Sequence, residues 1–143
     1  MSATTLDVIV DRVRSLCHTA PFLYTEARKF DSFDLQPVGA FDGVFRVESQ
    51  SQQTRGFLNY IEESTDLLTV TVSKATNNDY DATRRLLLKA ARSLTAAIVR
   101  DGAVTSGLYH VPDAGRAWNV TPTPTGVFCE LRVTLPVNYE AQL

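Results

Sequence analysis

Cysteine and histidine are scarce in this sequence, two of each among 143 residues, and that scarcity bears on several chemistries at once. Structural zinc normally takes four Cys or His ligands in paired spacing. Cys17, His18, His110 and Cys129 show no Cys-x-x-Cys or similar pair, so no metal site is expected. A catalytic triad needs a base beside a Ser or Cys nucleophile, and neither histidine lies in such a motif. His18 reads as a helix-end residue favoured by the helix dipole, and His110 as a loop residue. Cys17 falls on an apolar helical face and Cys129 inside an alternating strand, which fits two small buried hydrophobes better than a disulfide framework.

Glycine is sparse too, seven in all, with no glycine-rich strand-to-helix turn and no Gly-Lys-Ser or Gly-Lys-Thr signature, so no phosphate cradle is expected. Apolar runs such as Leu86 to Leu88 fall far short of the roughly 20 residues that cross a bilayer. The first eleven residues place acid ahead of any apolar stretch, which predicts no secretory signal and a cytosolic site of synthesis, and leaves the Asn119-Val120-Thr121 sequon without meaning. Fourteen Lys and Arg against sixteen Asp and Glu give a net charge of −2, which argues against wrapping nucleic acid through general basicity.

What is present is ordinary globular material. Hydrophobic residues make up 44% and charged residues 21%, and the length suits one domain with one core spanning residues 1–143. Leu6, Ile9, Val10, Val13, Leu16 and Cys17 recur at three-and-four spacing and predict an amphipathic helix over about 4–18, with Thr4 or Thr5 as its cap. An irregular arm at about 20–43 follows, dense in aromatics: Phe22, Tyr24, Phe30, Phe33 and Phe41. Two readings of it stand side by side: it lies across its own core, or it inserts into a neighbouring subunit.

Three alternating runs, Val44 to Gln50, Phe57 to Glu62 and Leu67 to Ser73, predict strands, with a polar loop at Ser51 to Thr54 and a hairpin turn at Glu62 to Asp66. A second helix is bounded by Asn77-Asn78-Asp79 and Asp101-Gly102, with Ala82, Leu86, Ala90, Leu94, Ala97 and Ile98 as its core stripe. A loop at about 103–125 contains a short strand around Arg116 to Val120, anchored by Trp118. The closing strand alternates most clearly, with Val127, Cys129, Leu131, Val133, Leu135 and Val137 on one face. Pro136 should place its distal end at a sheet edge or beyond its partner. The order α-β-β-β-α-β(-β) predicts an α+β fold: a mainly antiparallel sheet flanked by two main helices.

The carboxylates Glu62, Glu63 and Asp66 cluster where a turn is expected, and solvated turns are rich in such residues without catalysis. Arg84, Arg85, Lys89 and Arg92 surround much of a helix and read as a solvated face or a contact for an acidic neighbour. No catalytic residue, cofactor or metal is assigned.

In its order of elements the chain resembles the tail terminator family of long-tailed phages, also called tail completion or head-tail joining proteins. The likeness runs through the helix Leu6 to Cys17, the aromatic arm, Leu67-Leu68-Thr69-Val70-Thr71-Val72, the helix Tyr80 to Arg100 and the closing strand Cys129 to Val137. The resemblance implies a virion protein of the tail's neck region and not an enzyme. It implies a homohexameric ring on the last ring of tail tube protein, which ends tube polymerisation and joins the head-tail connector or stopper protein. DNA would pass through that ring without sequence-specific binding, and no membrane is involved. A ring needs two different patches per subunit. Phe22, Tyr24, Phe33, Tyr109 and Trp118 are the candidates for subunit or tube contact, from the arm and the 103–125 loop. Competing readings are another neck or minor tail component, such as a head-completion stopper, and a small-molecule-binding α+β domain. A hydrolase or transferase ranks last.

Overall fold

In the computed structural model, residues 3–18, 25–26, 44–58, 61–76, 80–123 and 126–142 are described. The first apolar stripe forms a helix, α1 (Leu6–His18), which buries Ile9, Val13 and Cys17 completely. Thr5 caps it, its Oγ1 accepting from the Val8 N–H at 3.4 Å. Two-residue strands precede and follow it, β1 (Ala3–Thr4) and β2 (Thr25–Glu26). The expected arm lies outside the described residues apart from β2, and Phe22, Tyr24 and Phe33 lie outside them with it.

The three predicted strands are two long ones, β3 (Val44–Leu58) and β4 (Ile61–Thr76), paired antiparallel from Val44↔Ser73 to Leu58↔Ile61. The polar stretch Ser51 to Thr54 and the acidic stretch Glu62 to Asp66, expected as loop and turn, are strand. They pair with each other, Gln52↔Asp66 and Thr54↔Ser64, through a register shift after Ser49 that absorbs Gln50. Polar composition suggested breaks there, but a bulge takes up an extra residue without ending a ladder.

The second helix, α2 (Tyr80–Arg100), has the expected limits, but its inward face differs from the predicted stripe. Thr83, Leu87, Ala91, Leu94 and Ile98 are buried, whereas Leu86 is 45% exposed. Leu86-Leu87-Leu88 and Ala90-Ala91 offer apolar residues in adjacent phases about 100° apart, so period alone does not choose between them; packing on the sheet does. A five-residue π-helical turn, Asp101–Thr105, ends the helix.

After β5 (Tyr109–His110), the strand expected near Trp118 runs longer, as β6 (Gly115–Thr123), and closes a hairpin with β7 (Gly126–Gln142). Among the described residues the sheet has seven strands, in the order β1-β7-β4-β3-β2, with β5 and β6 also on β7. Two short pairings are parallel and the rest antiparallel, so this is the α+β fold read from the sequence. β7 is an interior strand, contrary to the expectation from Pro136. That proline pairs with Leu67 on one side, while on the other it falls between Thr134, opposite the start of β6 at Gly115, and Asn138, opposite the end of β5 at His110. A residue without an N–H is tolerated where one flank of the ladder is interrupted.

α2 packs on β7 and β4, and α1 on α2 and β3. The core lies between these helices and one sheet face, made by Leu68, Val70 and Val72 of β4 with Leu131, Val133, Leu135 and Val137 of β7. The other face carries Thr69, Thr71 and Ser73 opposite Thr134, Arg132 and Glu130. No helix of the described residues is long and apolar enough to cross a membrane.

Candidate functional site

His110 is exposed on β5, and Cys17 and Cys129 are buried and form no disulfide, the Cys129 thiol pushed up by desolvation. Among the described residues no three His, Cys, Asp or Glu gather to hold a metal. Strand alternation separates the acidic trio of β4: Glu63 is exposed on one face, while Glu62 and Asp66 point to the other. There Glu62 accepts from Ser64 Oγ at 3.1 Å, and the buried Asp66 accepts from Ser49 Oγ.

One buried polar cluster ties α1 to the end of α2. Arg12 donates from Nε to Asp101 Oδ2 at 3.0 Å and from Nη2 to Oδ1 at 2.7 Å, a bidentate pair. The Tyr109 hydroxyl lies 2.9 Å from the Ile98 carbonyl and 3.0 Å from Asp101 Oδ2. Burial pushes the Asp101 carboxyl up, but the hydrogen bonds from Arg12 and Tyr109 and the Arg12 charge outweigh it and leave the carboxyl below its ordinary value. Burial, then the Asp101 charge, push the Tyr109 phenol well above its own. Gly102 is required beside this cluster, because a methyl group there would overlap the Tyr109 ring and sit 2.6 Å from its carbonyl oxygen.

Two chemically different surfaces lie at opposite ends of α2, which at 21 residues is about 30 Å long. At its N-terminal end, Trp118 of β6 donates from Nε1 to the Tyr80 hydroxyl at 2.8 Å, with the rings edge to face at 6.1 Å. The Arg84 guanidinium stands 5.9 Å from the Trp118 ring centroid, within cation–π range, and the exposed Arg116 is two residues along the same face of β6. This surface is aromatic and basic. At the C-terminal end, an open groove of about 340 Å³ runs between α1 and Asp101, lined by Val8, Asp11, Arg12, Ser15 and Leu16. Val8 is 42% exposed and Val104, in the π-helical turn, 71% exposed; Asp7 and Asp11 are exposed on α1. With Arg12 paired to Asp101, this surface is aliphatic and acidic, tempered by Arg14, which stands 3.6 Å from Asp11.

Of the residues proposed from sequence, Trp118 is half-buried and holds the first surface together. Tyr109 is 1% exposed, so its ring fills the core and offers a neighbour nothing. Arg84, Arg85, Lys89 and Arg92 are all exposed, as expected of a solvated helix face. Sequence reasoning missed Asp101 as a partner of Arg12, 89 residues away. A signal was available: an acid at a helix C-terminus opposes the dipole and calls for a compensating cation. No protein-family model matches the chain, and no curated protein is detectably similar to it in sequence.

Proposed function

We propose that this chain is a structural virion protein, a tail terminator that assembles as a homohexameric ring at the head-proximal end of a phage tail tube. In this reading it stops tube polymerisation and presents the joint for the head-tail connector or stopper protein. It does so without catalysis, and DNA passes through the ring without base-specific contact. The observation that carries the reading is the pair of unlike surfaces at opposite ends of α2, aromatic-basic around Trp118 and aliphatic-acidic around Val8. A head-to-tail ring requires two different patches on each subunit, whereas a two-fold dimer reuses one. The element order, α1, long paired strands, α2 and a closing hairpin, roughly fits the α-β-β-β-α-β(-β) order on which the family resemblance rests, with two long strands in place of three.

The test is the mass of the purified protein by light scattering across a concentration range, alone and with the tail tube protein. A hexamer in either condition supports the proposal; a monomer that ignores the tube protein contradicts it. A head-completion stopper would instead copurify with the connector and not with the tube. A small-molecule-binding domain is favoured by one observation, the groove beside Asp101, whose volume lies at the low end for ligand sites. A ligand screen read by thermal shift separates it from the ring.

A further inference from the structure

We infer that the aromatic-basic surface of one copy docks on the aliphatic-acidic α1 surface of the next, so that Arg84 and Arg116 meet Asp7 and Asp11 across the subunit boundary. This rests on the ring reading and names its interface. The argument begins with position. Trp118 lies on β6 beside Tyr80 at the start of α2, while the α1 surface lies against Asp101 just past the end of α2, so the two surfaces sit at opposite ends of that helix. Copies repeated in one direction bring unlike ends together.

Chemistry supplies the complementarity. Tyr80 is 39% exposed and, with Trp118, gives a rigid aromatic ridge braced by its own hydrogen bond and by Arg84. Opposite it, the 340 Å³ groove offers apolar wall from Val8 and Leu16 and an acidic rim at Asp11. Arg12 and Asp101 satisfy each other at 2.7 Å and are not free to rearrange for a partner. Asp11 makes a long exposed contact to Arg14 at 3.6 Å, which is worth little in water and is readily exchanged for a cation on another subunit. Tyr and Trp, with Arg, are the residue types that most often anchor an interface.

The test uses charge reversal in the full chain. R84E with R116E should raise the concentration for half-assembly roughly tenfold or more, the equivalent of about 1.4 kcal/mol per interface, and D7K with D11K should do the same. All four positions are exposed, and thermal melts confirm that each variant folds. Mixed one to one, the two variants should assemble again, because each reversed surface now faces a complementary one. Native mass spectrometry should find them alternating, three of each in a hexamer. Assembly of either variant as readily as wild type would overturn the inference, as would failure of the mixture to recover. Wild-type protein that stays monomeric with tube protein present would instead remove the ring reading itself.

Discussion

Replacing Asp101 by Asn preserves the shape of the side chain and removes its charge. Asp101 is 6% exposed and accepts from Arg12 at 3.0 and 2.7 Å and from Tyr109 at 3.0 Å. Hydrogen bonds to charged groups contribute about 1.5–3 kcal/mol, and breaking a fully buried ion pair costs about 3–5 kcal/mol. The Arg12 side chain is 37% exposed, and water screens its share of the loss, so about 2 kcal/mol is expected at neutral pH. For a chain of this length that lowers Tm by about 6–8 °C. The sign with pH follows from the depressed carboxyl, held below 3.8 because the hydrogen bonds and Arg12 charge outweigh burial. Such a group contributes stability above the unfolded pKa and loses it as pH falls through the folded one. Urea melts followed by circular dichroism should therefore show the full gap between wild type and D101N at neutral pH, narrowing as pH drops below 3.8. A gap under about 0.5 kcal/mol at neutral pH, the range of an ordinary surface change, would refute the reasoning, and so would one that acid leaves unchanged.

Leu94→Ala should cost about 2–5 kcal/mol in a urea melt, since Leu94 is 2% exposed. Leu86→Ala should change stability by no more than about 0.5 kcal/mol, and equal losses would contradict the assigned phase of α2. Gly102→Ala should cost about 3 kcal/mol, because neither the Tyr109 ring nor its backbone can yield cheaply; a variant with the wild-type urea midpoint would contradict that close approach. Tyr109 has its ionisation raised above 10.0 by burial and then by Asp101, so its contribution is present below that pH and lost above it. Tyr109→Phe should accordingly flatten part of the stability decline seen in alkaline melts, and an unchanged alkaline profile would count against the buried phenol.

The elements most legible in the sequence were those whose hydrophobic period admitted one solution. β7 alternates without ambiguity, and its face from Cys129 to Val137 is buried as its pattern requires. α1 likewise offers a single stripe through Ile9, Val13 and Cys17. The errors came where local chemistry was degenerate. Leucines 86 to 88 supported more than one phase of α2, and the polar residues of Ser51–Thr54 and Glu62–Asp66 looked like turns although they sit opposite one another in a ladder. Pro136 suggests a sheet edge or an end that runs beyond its partner, because sequence does not reveal that β6 and β5 leave a gap beside it. The candidate surfaces were half legible. Trp118 stands out as a lone indole in a loop-like stretch, but its bracing by Tyr80 and Arg84 depends on the first turn of α2 lying beside β6. The groove beside Asp101 joins residues about ninety positions apart, which no local pattern reports.

The most direct test of the account is to add this protein to polymerising tail tube protein and measure tube lengths by electron microscopy. Substoichiometric protein should shorten the tubes and appear as a ring at one end only, with lengths falling as its concentration rises. Tubes of unchanged length, with no protein at either end, would contradict the claim that this chain ends a tail.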